Sequence, residues 1–218
     1  MIRIKICGLC RPADAAAAVA AGADYVGVIL APATRRSQTI DTAKQIFDEA
    51  RGARRVGVFV NPEPSMLREA IRDLQLDVVQ LHGEETPDVA RLAGESAQVW
   101  KAVRVQAPDE IGKAARAFSG AVHGLLLDAF HPTLAGGSGT RLEWLSLTAE
   151  RGRLPAGLQV VLAGGLTPEN VADAVRALVP DVVDVSSGVE AAIGEKSVER
   201  MCAFVAAARS RGIGGSDE

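Results

Sequence analysis

Apolar residues recur along the chain in short, continuous blocks with little alternation. The blocks are Arg3–Cys7, Tyr25–Leu30, Arg55–Val60, Val78–His82, Gln98–Val105, Gly124–Ala129, Gln159–Ala163 and Val182–Ser186. They are rich in Val, Ile and Leu. A strand with one wet face alternates, whereas a strand covered on both faces is apolar throughout, so these blocks predict a buried parallel sheet.

Between the blocks the polar positions fall at helical spacing. Helices are predicted at Asp14–Ala21, Asp41–Arg51, Pro64–Leu74, Pro87–Ala93, Pro108–Phe118, Pro168–Leu178 and Ser197–Arg209. Proline opens four of them, where its missing N–H costs no helical hydrogen bond. Gly22 closes the first as a C′ residue, and Thr167 is an N-cap candidate for the sixth. An eighth helix at Arg141–Arg151 is the weakest, because Gly152, Pro155 and Gly157 crowd its end.

Eight βα units in 218 residues leave about 27 residues each, which suits a compact (βα)8 barrel. An open doubly wound sheet would carry G-x-G-x-x-G after the first strand; the turn here is Gly8-Leu-Cys-Arg11. The expected organisation is one barrel over residues 1–210 and a disordered tail over 211–218.

Composition changes this picture little. Hydrophobic residues make up 48% and charged residues 23%, with a net charge of -3. No basic stripe suggests a nucleic-acid partner. No apolar run reaches membrane-spanning length, and the start of the chain has no secretory h-region. Three cysteines, Cys7, Cys10 and Cys202, fit a reducing, cytoplasmic setting.

In a barrel the site lies at the C-terminal ends of the strands. The glycines of Leu162-Ala-Gly-Gly-Leu166 and the run Asp184-Val-Ser-Ser-Gly188 end strands seven and eight. Backbone N–H groups released by Gly164, Gly165, Ser186, Ser187 and Gly188 would form a phosphate site, with a short extra helix after strand eight. Such loops are also ordinary turns, and it is their consecutive placement that points to an anion.

Cys7 ends strand one, and its thiolate could serve as base or nucleophile, although a lone cysteine there is ordinarily a buried small residue. Lys5 shares its face by strand alternation. Asp128 follows three leucines, where partial desolvation would favour an acid role. His82 is a ligand contact or a core histidine. Arg36 is a carboxylate partner or a solvated surface arginine. The glycine cluster Gly136–Gly139 is a flexible cover or a plain connector. No metal-ligand cluster and no G-x-S-x-G elbow are present.

Together these stretches resemble the phosphoribosylanthranilate isomerase family. They are Lys5-Ile-Cys-Gly8, Val56-Gly-Val-Phe-Val-Asn61, Val79-Gln-Leu-His-Gly83, Leu126-Leu-Asp128, Ala163-Gly-Gly-Leu166 and Val183-Asp-Val-Ser-Ser-Gly-Val-Glu190. They occur in order over nearly the whole chain. The resemblance implies a cofactor-free, metal-free Amadori rearrangement of a phosphorylated small molecule in tryptophan biosynthesis, by a monomer or homodimer. Asp128 would protonate the furanose oxygen and Cys7 would take the C2′ proton. Arg36 would hold the anthranilate carboxylate, with His82 and Asp184 as further contacts and the five loop residues holding phosphate.

The chain departs from the family pattern at Cys10, where Thr or Ser is usual, so a reversible Cys7–Cys10 disulfide is conceivable. Ile29-Leu-Ala31 is less aromatic than usual beside the anthranilate site. Three other readings compete. A related barrel isomerase of histidine biosynthesis would use two aspartates. A non-catalytic binding barrel would not need both Cys7 and Asp128. A thiol oxidoreductase would depend on Cys10.

Overall fold

The computed structural model describes residues 1–32, 34–128 and 147–210. His131, the Gly136–Gly139 cluster, residues 141–146 of the eighth predicted helix and the tail 211–218 lie outside them, as does Ala129 at the end of the sixth predicted strand.

Eight parallel strands close into a barrel in sequential order. They are β1 (Arg3–Ile6), β2 (Tyr25–Ile29), β3 (Arg54–Phe59), β4 (Val78–Leu81), β5 (Gln98–Arg104), β6 (Gly124–Asp128), β7 (Gln159–Ala163) and β8 (Val182–Val185). Closure comes from β8 pairing with β1, with Lys5 opposite Asp184 and Ile6 opposite Val185. Helices α1 (Pro12–Ala21), α2 (Ile40–Glu49), α3 (Pro64–Leu74), α4 (Pro87–Gly94), α5 (Asp109–Ala117), α6 (Val171–Leu178) and α7 (Val198–Arg209) pack outside. Residues 147–151 are also helical. Among the described residues no helix is long and apolar enough to cross a membrane.

The apolar blocks are doubly buried because they feed two cores. One lies between strands and helices and takes Ile4, Ile6, Val26, Val28, Leu81, Leu125 and Leu127. The other fills the barrel lumen with Tyr25, Val56, Val78, Trp100, Leu126, Val161 and Val182. Successive strand residues point to opposite faces, so each block supplies both cores by turns. In the lumen Tyr25 and Trp100 meet at 5.1 Å between ring centroids, and the Trp100 indole donates to Gln159 Oε1 at 3.0 Å.

The helices follow the same logic outside. In α3 the buried positions Leu67, Ala70, Ile71 and Leu74 form one stripe after a proline start. Each odd strand also has the amide of its second residue tied by the residue that precedes the next strand. Asp24 accepts from Ile4 N at 2.8 Å, Asp77 from Arg55 N at 2.8 Å, His123 Nδ1 from Val99 N at 3.0 Å and Asp181 from Val160 N at 2.8 Å. His123 is therefore a structural cap at the end of the barrel opposite the loops of interest.

Several boundaries differ from expectation. Strands one to five and eight each stop a residue before the predicted end, because the chain turns into the βα loop there; Gly8 already has φ 69°. Helix α2 begins at Ile40 because Thr39 is its N-cap and accepts from Thr42 N. Helix α6 begins at Val171 after Asn170. The residues predicted to open it form a turn instead, in which Asn170 Oδ1 accepts from Thr167 N at 2.8 Å. The short extra helix after β8 is a 3-10 turn, Ser187–Val189. A small hairpin that the hydrophobic pattern does not signal follows it, β9 (Glu190–Ala192) with β10 (Glu195–Lys196).

Candidate active site at the C-terminal rim

Strand parity decides which side chains enter the lumen. Lys5 and Cys7 on β1, Gln80 and His82 on β4, Asp128 on β6 and Asp184 and Ser186 on β8 all point inward. A slip of one residue would send each set to the helical side. At the C-terminal mouth they surround a cavity of about 290 Å³. Of the predicted site residues, Cys7, His82, Asp128, Gly164, Gly165, Asp184, Ser186, Ser187 and Gly188 line it. Arg36 does not. Thr34 and Gln80 line it as well.

Cys7 is 6% exposed and Lys5 is fully buried. Lys5 Nζ donates to Asp184 Oδ1 at 3.0 Å. Burial pushes the Cys7 thiol up, the Lys5 ammonium draws it down, Asp184 pushes it up again, and the balance leaves it raised. Asp184, predicted as a ligand contact, spends one carboxylate oxygen on Lys5 and still faces the cavity.

Across the mouth, His82 Nε2 stands 3.7 Å from Asp128 Oδ2, longer than a hydrogen bond. His82 Nδ1 lies 3.0 Å from Gln80 Nε2. The Asp128 side chain is 28% accessible, more open than the leucines before it suggest, so solvent reaches this carboxyl. Around the barrel β7 and β8 separate Asp128 from Cys7.

The glycine loops meet between these two groups. Gly164 and Gly165 have φ 91° and 66°, which turn their amides in a way side-chain-bearing residues resist. Asn170 Nδ2 donates to Gly165 O at 2.9 Å and braces the turn. A Cβ on Gly188 would stand 1.9 Å from Leu166 O. The loops after β7 and β8 are thus in backbone contact.

Arg36 departs most from expectation. Its Nε and Nη2 donate to Glu190 Oε1 and Oε2 at 2.7 and 2.6 Å. Lys196 Nζ, with its side chain fully buried, donates to the same Glu190 at 3.1 Å and to Ser186 O at 3.0 Å. The hairpin thereby ties the Arg36 loop to the loop after β8. Glu190 ends the Val183–Glu190 run, and nothing local in that run signals its pairing with Arg36. Lys196 has no local signal, being an isolated lysine after Gly194-Glu195.

Burial pushes the Glu190 carboxyl up, but its hydrogen bond with Arg36 and the charge of Lys196 outweigh that and hold it to about 2. A depressed carboxyl stabilises the fold above its unfolded value of 4.5 and loses that contribution as pH falls towards 2. Glu190→Gln should lower Tm at neutral pH by about 4–8 °C, corresponding to about 2 kcal/mol. The gap to the unsubstituted protein should narrow below about pH 4. Thermal melts across pH test this, and a gap that stays constant into acid refutes it.

Cys10 sits apart from the cavity, its Sγ 3.6 Å from Gly8 O and 3.8 Å from Arg36 O. Cys7, Cys10 and Cys202 are all free thiols.

A closed (βα)8 barrel with a thiol, a carboxyl and two glycine loops gathered at one mouth is an enzyme of the barrel class. The family model described as N-(5'phosphoribosyl)anthranilate (PRA) isomerase matches residues 4–207. The chain is 42% identical to N-(5'-phosphoribosyl)anthranilate isomerase of Thiobacillus denitrificans over 96% of this chain and 98% of that one. It is 44% identical to the Myxococcus xanthus protein of the same name, over 96% and 97%. Phosphoribosyl anthranilate isomerase from Thermotoga maritima superposes with a TM-score of 0.85 at 38% identity, over 96% of this chain and 99% of that one. A phosphoribosyl anthranilate isomerase solved with reduced 1-(o-carboxyphenylamino)-1-deoxyribulose 5-phosphate superposes at 0.83 and 36% identity, over the same shares. The chain belongs to the N-(5'-phosphoribosyl)anthranilate isomerase family.

Proposed function

We propose that this chain isomerises N-(5'-phosphoribosyl)anthranilate to 1-(2-carboxyphenylamino)-1-deoxyribulose 5-phosphate in tryptophan biosynthesis, with Asp128 as general acid and Cys7 as general base. The observation that carries the assignment is the cavity itself. It sets the Asp128 carboxyl and the Cys7 thiol on separated strands, with the paired glycine loops on the arc between them.

The reaction needs two proton transfers at different atoms. Asp128 gives a proton to the furanose ring oxygen. The C1′–O bond breaks, and the anilino nitrogen lone pair forms the iminium. The iminium acidifies C2′, and Cys7 as thiolate takes that proton, giving the enolamine, which tautomerises to the ketone. Each group need move a proton only across one contact. The amides of Gly164, Gly165, Ser186, Ser187 and Gly188 hold the phosphate. Asp184 and His82 contact the sugar. Arg36 holds the anthranilate carboxylate through Nη1, since Glu190 occupies Nε and Nη2. The free thiols support a cytoplasmic setting, and the active unit is a monomer or homodimer.

Anthranilate-type fluorescence reports the reaction. Purified protein in reductant should quench freshly made N-(5'-phosphoribosyl)anthranilate far faster than it decays alone. Decay at the spontaneous rate would overturn the reading.

A further inference from the structure

A buried thiol is ordinarily inert, because its thiolate needs a compensating charge. At 6% exposure Cys7 has that problem, so what lies beside it decides whether it can work as a base. Lys5 stands two residues earlier on β1 and therefore on the same inward side. Its stem and the thiol converge on one spot. A Cβ on Gly27 would lie 2.8 Å from Cys7 Sγ and 3.1 Å from Lys5 Cε. The absent side chain at Gly27 is what leaves room for both, and there the charge of Lys5 acts on the thiol. From the other side Asp184, opposite Lys5 in the register, holds Nζ at 3.0 Å. The lysine is fully buried beneath the cavity.

We propose that Lys5, anchored by Asp184, is the positioning residue that holds the Cys7 thiolate ready as base. This rests on the reading of Cys7 as the base. Lys5 acts through the thiol and does not reach substrate. It stays protonated before and after the proton transfer, so the proton taken from C2′ resides on Cys7 Sγ alone. The other charged groups acting on the thiol are Asp184, which opposes its ionisation, and Lys196, which favours it. Arg36 interacts with the same thiol from the loop after β2. Lys5 is the cation that shares its strand and face, and its stem crowds the same point over Gly27 as the thiol. An ammonium that close shifts a neighbour by about one pH unit or more.

The test reads the thiolate directly, without substrate. Carbamidomethylation of Cys7 by iodoacetamide is followed from about pH 6 to about pH 10 by mass spectrometry of its peptide, in the unsubstituted protein, Lys5→Met and Asp184→Asn. Circular dichroism confirms that each is folded. Lys5→Met should raise the midpoint by about one unit or more, and Asp184→Asn should lower it, because the repulsive carboxylate is gone and Lys5 is left to the thiol. A merely structural lysine predicts neither shift. An unchanged midpoint in folded Lys5→Met overturns the proposal. So does a midpoint that does not fall in Asp184→Asn, which decides alone if Lys5→Met does not fold. In turnover, Lys5→Met should lose kcat near neutral pH and recover it in alkali, with KM little changed. Failure of the alkylation shifts would leave the role of Cys7 itself to the activity of its own variants.

Discussion

Cys7→Ser and Asp128→Asn should each lower kcat for N-(5'-phosphoribosyl)anthranilate by about 10²–10⁴-fold while changing KM little. The loss falls on kcat because each side chain acts on a proton in flight, whereas the amides of the glycine loops supply much of the ground-state binding. The replacements suit the surroundings. Serine is smaller than the buried cysteine it replaces over Gly27, and asparagine keeps the shape of a carboxyl whose side chain is 28% accessible. Neither should disturb the barrel, and unchanged melting would confirm this. The two also fail differently. Serine is a far weaker base at C2′, so deuterium at C2′ should slow Cys7→Ser turnover more than it slows the unsubstituted enzyme. Asparagine cannot protonate the ring oxygen, so ring opening limits Asp128→Asn and the isotope effect should shrink. Either variant retaining a kcat within tenfold of the original would remove that residue from its assigned role.

Gly188→Ala should raise KM by about 10²-fold or more, through a collision that binding cannot relieve. The added methyl would stand 1.9 Å from Leu166 O, 3.0 Å from Leu166 C and 3.1 Å from Val185 Cγ2. Two of these are backbone atoms, so no side chain can swing away. The loops after β7 and β8 must separate, and with them the amides assigned to phosphate. Overpacking of this kind also costs about 1–3 kcal/mol of stability. Inorganic phosphate, measured as a competitive inhibitor, should weaken in parallel with KM. Gly94→Ala is the matched control. Gly94 ends α4, and its added methyl would meet only Val99 Cγ2 at 4.0 Å. It should leave turnover unchanged. Equal KM for Gly188→Ala and Gly94→Ala would mean that the two loops do not form the phosphate site.

How far the chain could be read from sequence follows from the range of each interaction. The doubly apolar blocks and the prolines at helix starts are local signals, and they correctly indicated eight strands and the helices between them. The last helix is legible to within a residue: Ser197, its predicted first residue, is its N-cap, the hydroxyl accepting from Arg200 N three residues on. Thr167 does not cap the helix: its hydroxyl accepts from Glu169 N while Asn170 Oδ1 takes its own amide, and this closed turn defers the helix to Val171, a choice between turn and helix that propensity does not rank. The β9–β10 hairpin left no trace in the pattern because three- and two-residue strands are too short for periodicity to register.

The same division governs the site. Nine of the residues chosen at strand ends line one cavity, because strand parity and the barrel's polarity are enough to bring them together. What sequence alone determined, then, is the barrel and the chemical types at its mouth: a thiol after β1, a carboxyl after β6 and glycines after β7 and β8. Tertiary structure decided which charges meet. Lys5 and Asp184 are 179 residues apart, and Arg36 and Glu190 are 154 apart. The first pair exists because barrel closure sets β8 beside β1, and the second because a hairpin beyond β8 folds back over the rim. Charge pairing at such separation depends on register and closure, which are properties of the assembled barrel that no local run of residues encodes.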